Sequence, residues 1–101
     1  MNSITAIALK QKIDNAEDLQ LIDVREPYEH EAFNISGRLI PLNEIIKQID
    51  KIPTDKPVII YCRKGIRSQL AIQRLQEKFP FTNLVNLSGG MEAWRKQFED
   101  F

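Results

Sequence analysis

The sequence is short of the residues that staple, charge or anchor a small protein. Among 101 residues there is one cysteine, one histidine, one tryptophan and four glycines. One cysteine cannot close an internal disulfide, so the fold must rest on its own core. It also leaves a free thiol, as expected in a reducing compartment. No apolar run is long enough to span a bilayer. Met1-Asn2-Ser3-Ile4-Thr5 has neither the basic region nor the long apolar region of a secretory leader, and a cytoplasmic location is expected. Excess charge of either sign is also missing, because fourteen basic and fourteen acidic side chains cancel. Nucleic acid and membrane surfaces, which attract a net basic face, are therefore not expected partners. A neutral chain of this size is compatible with a monomer.

What is present suits one globular domain over residues 1–101. Apolar residues make up 43% of the chain, enough for one modest core. Thr5 can cap a short helix with Ala6, Leu9 and Ile13 on one face. Leu19 to Val24 is apolar and ends in charge, as a buried strand does. Pro27 suits the first turn of a helix running to about Phe33. Asn34-Ile35-Ser36-Gly37 reads as a turn, and Arg38-Leu39-Ile40 as a brief strand closed by Pro41. Asn43 is placed as an N-cap. Leu42, Ile45, Ile46, Ile49 and Ile52 then recur at helical spacing, the clearest amphipathic segment in the chain. Pro53 to Pro57 is a connection. Val58 to Tyr61 is a central strand, Ser68 to Phe79 a helix with Ala71, Ile72, Leu75 and Phe79 inward, and Pro80 its stop. Leu84 to Leu87 is the last strand. Ser88-Gly89-Gly90 leads into a final helix with Met91, Trp94 and Phe98 on one face. Alternation of strands and helices predicts an α/β fold, a parallel sheet covered on both faces.

Within that frame, Val58-Ile59-Ile60-Tyr61-Cys62-Arg63-Lys64-Gly65-Ile66-Arg67-Ser68 stands out. The only cysteine ends a buried strand and opens a basic loop that feeds a helix. Open α/β sheets place ligands at such a junction. Free backbone N–H groups and the helix dipole favour negative charge there. A thiol flanked by Arg63, Lys64 and Arg67 should have its thiolate form stabilised. A lone cysteine usually packs as a small hydrophobe. This one enters a polar loop, where it is not placed to pack and where a nucleophile belongs.

Two reaction classes use such a loop: attack on phosphorus, and attack on a sulfur donor to give a persulfide. Spacing separates them. A cysteine phosphatase has five residues between cysteine and arginine, whereas four lie between Cys62 and Arg67. The smaller ring fits a tetrahedral phosphate poorly but can enclose the outer sulfur of a persulfide. With no second cysteine, a self-contained dithiol cycle is excluded.

The run Cys62 to Ser68 resembles the active-site loop of the rhodanese family of sulfurtransferases. Leu21-Ile22-Asp23-Val24-Arg25-Glu26-Pro27 is similar to the family's N-terminal signature, and Leu87-Ser88-Gly89-Gly90-Met91-Glu92-Ala93-Trp94 to its C-terminal one. The likeness covers nearly the whole chain. It implies a single rhodanese-like domain with a five-stranded parallel sheet and helices on both faces. It implies a double displacement without metal or organic cofactor. Cys62 would take sulfur from a small anionic donor such as thiosulfate and pass it to cyanide, a thiol or an acceptor protein. Arg63 and Lys64 match the basic pair of thiosulfate-type loops and would attract the donor. Gly65, Ile66 and Ser68 would complete the loop around it, and Arg67 would face the anion or brace the loop.

The resemblance has departures. Phe33-Asn34-Ile35-Ser36-Gly37 stands where the family has Gly-His, and the stretch to Pro41 is one residue short. That variant resembles the rhodanese-like tail domain of enzymes that adenylate sulfur carriers, which hints at a protein acceptor. Phe79-Pro80 replaces a glycine that often ends the active-site helix.

Other residues have plainer readings. Asp23 and Arg25 are expected as a buried pair bracing the sheet edge, supporting the loop rather than touching substrate. His30, in Tyr28-Glu29-His30-Glu31, has no second ligand at metal spacing and is placed on a solvated face. Trp94 is core, and Gly89 and Gly90 serve backbone geometry. Two other functions compete with sulfur transfer: a non-catalytic module using the same scaffold to dock a partner, and a cysteine phosphatase or arsenate reductase.

Overall fold

Short apolar strands that alternate with helices can bury their surface only by stacking in layers, and this chain does so. A computed structural model describes residues 1–98. In chain order it has β1 (Ser3–Ile4), α1 (Ala6–Asp14), β2 (Gln20–Asp23), α2 (Pro27–Ala32), β3 (Arg38–Leu39), β4 (Val58–Tyr61), α3 (Ile66–Lys78), β5 (Leu84–Leu87) and α4 (Gly90–Phe98). Two single 3₁₀ turns, Leu42–Glu44 and Ile49–Lys51, lie between β3 and β4. The strands form one parallel sheet in the order β1-β5-β4-β2-β3. The expected five-stranded parallel α/β fold is the observed one.

β4 is the centre of this sheet, and all four of its residues are buried. Its side chains alternate between two cores. Val58, Ile60 and Cys62 face Ala71, Ile72 and Leu75 of α3, together with Ile40, Ile45 and Ile52. Ile59 and Tyr61 face Ala6 and Leu9 of α1 and Met91 and Trp94 of α4. A parallel strand buried on both faces must be apolar at every position, which explains the unbroken run.

The local signals that start and stop the helices hold. Thr5 caps α1 by accepting a bond from the Ala8 amide at 3.2 Å. Pro27 takes the first position of α2, and Glu26 with Glu29 forms a capping box there. α3 starts at Ile66 rather than Ser68, because Gly65 with φ +91° is its N-cap and the loop winds straight into the helix. Gly37 answers a packing need. A Cβ there would lie 2.6 Å from the Tyr61 ring, so only glycine lets the phenol close over the turn.

Two expectations need correction, and one strand has no signal in the sequence. Residues 42–52 are not one α-helix capped by Asn43. Pro41 precedes the first 3₁₀ turn, and most of the bonds that follow are three-residue ones, such as Ile45 to Leu42 and Ile52 to Ile49. The apolar side still reaches the core through Ile45 and Ile52. Five branched or bulky apolar side chains in eleven residues favour an α-helix only weakly, and packing against the sheet sets the backbone instead. Phe79 is not inward. It is 47% exposed and lies edge-on to the buried Phe81, with ring centroids 5.0 Å apart. Finally, Ser3–Ile4 pairs with β5 as a fifth strand that two residues of sequence do not announce.

Candidate active site

β2 and β4 are neighbours, yet the chain leaves β2 toward β3 and leaves β4 toward β5, on opposite sides. The crevice beyond their carboxyl ends is the switch point of the sheet. Cys62 follows β4 directly into it.

The loop from Cys62 to Gly65 is shaped from outside. The first amides of α4 bind its carbonyls: Met91 donates to Cys62 and Glu92 to Arg63, both at 2.9 Å. With carbonyls turned outward, amides are left to face the interior of the loop. Gly65 and Ser68 donate theirs to Cys62 Sγ at 3.1 and 3.3 Å. Gly90 makes the docking possible. Its φ is +58°, and a Cβ there would run into the carbonyls of Cys62 and Arg63. The paired glycines of the last turn therefore serve the loop as well as the chain direction.

Cys62 itself is 1% exposed. It lies in the core as well as in the loop, so the expectation that it is not placed to pack is corrected. Ser68, wholly buried, has Oγ 3.4 Å from Sγ and donates to Asn86 Oδ1. Asn86 Nδ2 donates to the Gly65 carbonyl at 3.4 Å. Asn86 is buried on β5 and carried no signal in the sequence, because it interrupts an otherwise apolar strand without any motif around it.

The loop's cations divide. Arg63 and Lys64 are exposed beside the mouth, and Arg63 reaches Glu92 only at 3.8 Å. Arg67 instead forms a two-pronged pair with Glu29 of α2, at 2.7 and 2.9 Å. It braces the first turn of α3 against α2, one of the two roles the resemblance allowed. The pair holds the Glu29 carboxyl down at about 2, chiefly through the Arg67 hydrogen bond, and raises Arg67 through the same bond. A lowered carboxyl pKa stabilises the fold fully above its ordinary value, 4.5. That contribution is lost as pH falls through about 2. Acid unfolding should therefore have a limb below pH 4.5 that Glu29→Gln flattens. Circular dichroism against pH would check it, and identical acid limbs would refute it.

Beneath the loop, Arg25 lies against Asp23 in a buried, two-pronged pair. Nε donates to Oδ1 at 2.9 Å and an Nη to Oδ2 at 2.8 Å. The same guanidinium donates to the Phe33 carbonyl at 2.6 Å and lies 5.7 Å from the centre of the Tyr61 ring. Burial acts to lower the Arg25 pKa, but the bond and charge of Asp23 outweigh it and hold it above its ordinary value. Burial first, then the Asp23 charge, push the Tyr61 phenol up to about 12, although the Ile35 and Gly37 amides oppose them. His30 is not on a solvated face. Its Nδ1 is 2.8 Å from Asp23 Oδ2 and only 22% of its side chain is exposed. It ties α2 to the end of β2, a contact invisible to a rule that pairs residues along one helix. Among the described residues, no three histidine, cysteine or acidic side chains gather as a metal site would require. None of the described helices is long and apolar enough to cross a membrane.

Next to the loop, a cleft of about 530 Å³ opens between α2 and α4. Tyr28, Phe33 and Met91 line it, with Arg63 and Lys96 among its cations.

A family model described as a rhodanese-like domain matches residues 5–97. The chain belongs to the rhodanese-like family. A sulfurtransferase of Allochromatium vinosum is 35% identical over 97 residues, which cover 95% of this chain and 90% of that protein. The probable adenylyltransferase/sulfurtransferase MoeZ of Mycobacterium tuberculosis is 37% identical over 101 residues, 97% of this chain. This rhodanese-like chain spans only 26% of MoeZ, so the larger protein's other activities belong to that protein. Among solved structures, SSP1007 of Staphylococcus saprophyticus superposes with a TM-score of 0.84 at 31% identity over the full length of both chains. A rhodanese-related protein of Thermoplasma volcanium gives 0.85 at 28% identity, over 99% of this chain and 96% of that one.

Proposed function

We propose that this rhodanese-like domain is a sulfurtransferase whose Cys62 carries sulfur as a persulfide. One observation carries the reading: Sγ sits at the centre of a four-residue loop and accepts the amides of both Gly65 and Ser68. Charge-assisted bonds of this kind suit an anionic sulfur. The Cys62 thiolate attacks the outer sulfur of a donor such as thiosulfate. An S–S bond forms to Cys62, the donor's S–S bond breaks, and sulfite leaves with its electron pair. The terminal sulfur then passes to cyanide, a thiol or an acceptor protein, and the thiolate returns. The names of the relatives support sulfur transfer as the class of reaction. The chemistry requires neither a metal nor an organic cofactor.

In this reading Arg63 and Lys64 draw in the anion, and the amides of Gly65, Ile66 and Ser68 form the cradle. Arg67 holds that cradle through Glu29, and Asp23 with Arg25 supports it from below. We place the protein in the cytoplasm as a monomer, with residues 1–101 acting as one domain. The test is intact mass spectrometry after incubation with thiosulfate, with and without cyanide. A gain of one sulfur atom on Cys62, removed by cyanide, is expected. No gain from thiosulfate, polysulfide or an organic persulfide would sink the reading. It would leave the scaffold as a docking module.

Arg63→Ala and Lys64→Ala should each raise the KM for thiosulfate about five- to tenfold. This is the low end for charge-assisted contacts, because both side chains are solvated. The dependence on cyanide should change less. Unaltered thiosulfate saturation in the double variant would remove the cations from the mechanism.

A further inference from the structure

Ser68 and Asn86 form a buried relay under the sulfur, and their hydrogen-bonding capacities decide where one proton lies. Asn86 has an amide with a donor end and an acceptor end. Nδ2 donates to the Gly65 carbonyl, so Oδ1 faces Ser68. A carbonyl oxygen has no proton to give, so the serine must donate. A serine hydroxyl owns a single proton. With that proton on Asn86, Ser68 Oγ presents a lone pair to Cys62 Sγ, 3.4 Å away. It can accept from a thiol but cannot donate to a thiolate. Ser68, Asn86 and Cys62 are 0%, 4% and 1% exposed, so no bulk water competes for these bonds.

We propose that Asn86 is a positioning residue that holds the Ser68 hydroxyl proton off the sulfur, leaving the Cys62 thiolate with two backbone donors instead of three. The proposal rests on Cys62 being the reactive group of the site. Its consequence is chemical. Every added donor stabilises the thiolate but blunts its attack, because nucleophilicity falls as the sulfur becomes less basic. Asn86 sets that balance from β5, a strand that carries no part of the loop.

The test is the rate at which iodoacetamide alkylates Cys62, followed against pH in the whole chain. It needs no sulfur donor. Failure of persulfide formation with normal alkylation would therefore overturn the proposed function alone. Absence of alkylation at every pH in the unaltered chain would overturn both.

Asn86→Ala, and Asn86→Leu as a bulkier second variant, release the Ser68 proton to the sulfur. The midpoint of the alkylation profile should fall by about one pH unit, the worth of one hydrogen bond to a charged group. In Ser68→Ala the thiol loses an acceptor but the thiolate gains no donor, so the midpoint should fall by clearly less than in the Asn86 variants. The double variant Ser68→Ala/Asn86→Ala should follow Ser68→Ala, since Asn86 acts only through the serine. A loop that is merely loosened would lose backbone donors to the sulfur, so the midpoint would rise in both single variants and further still in the double variant. A midpoint that stays or rises in the Asn86 variants, or a fall in the double variant as large as in Asn86→Ala, would overturn the proposal.

A second measurement needs no substitution. The Asn86 side-chain amide protons, followed by NMR through the titration of Cys62, should keep their chemical shifts, because Ser68 stays on Asn86 in both states. A large change as the thiolate forms would place the serine proton on sulfur and refute the assignment.

Discussion

Cys62→Ser should abolish sulfur transfer and leave the fold standing. The substitution keeps a small polar side chain in a site that is 1% exposed, so packing barely changes. The amides of Gly65 and Ser68 can bond an oxygen as well as a sulfur, so the loop keeps its centre. The chemistry cannot survive, because an alkoxide is not formed at neutral pH and an S–S bond needs a second sulfur. The expected loss is complete within assay limits, with thiocyanate formation from thiosulfate and cyanide as the readout. Unfolding should be cooperative, with a Tm within a few degrees of the unaltered chain. Retained turnover would eliminate the persulfide at Cys62. A lost fold would show that the thiol is structural first.

The second large effect is on stability, at Asp23. Asp23→Ala removes the carboxylate that Arg25 grips twice and that His30 also bonds. It leaves the Arg25 guanidinium, 5% exposed, with the Phe33 carbonyl and the Tyr61 ring but without the carboxylate it grips. A buried charge stripped of its counter-charge costs about 3–5 kcal/mol. For a chain of this size each kcal/mol moves Tm by about 4–8 °C, so a fall of at least about 12 °C is expected. Thermal unfolding would measure it.

The sharper test replaces both members. Asp23→Leu with Arg25→Met should cost much less than Asp23→Ala, because no unpaired charge remains in the core. If the double replacement is the worse of the two, the pair is a net stabiliser and the desolvation argument fails here. The contrast with the surface is instructive. Lys12–Glu17 is 43% and 45% exposed, and breaking it should be nearly silent.

Much of the scaffold behind these two expectations is legible along the chain. The strands β2, β4 and β5, the capped starts of α1 and α2 and the loop at Cys62 are all local features. An apolar run bounded by charge, a Thr before an amphipathic turn and a Pro at a helix start act within a few residues of themselves. Each could be read with no knowledge of the rest of the chain. The order of three motifs was enough to give the family and, through it, the sheet.

Where reading along the chain failed, the deciding force came from elsewhere in the fold. The isoleucines between 42 and 52 have helical spacing, yet the sheet beneath them sets 3₁₀ turns. β1 exists because β5 offers it a hydrogen-bonding edge, not because Ser3 and Ile4 favour a strand. Glu29 and His30 looked like a solvated acidic helix. They became partners of Arg67 and Asp23 once α2 was laid over the ends of β2 and β4. Asn86 had no motif to mark it, and its importance arises only where β5 passes under Gly65 and Ser68.

The sequence by itself determined the class of fold, the candidate cysteine and the span of its loop, because propensity, capping and motif spacing are short-range properties. The tertiary structure alone decided which charges are spent on each other, which remain beside the mouth and how many donors reach the sulfur. Those depend on distances between strands and helices far apart in the chain, which only packing sets.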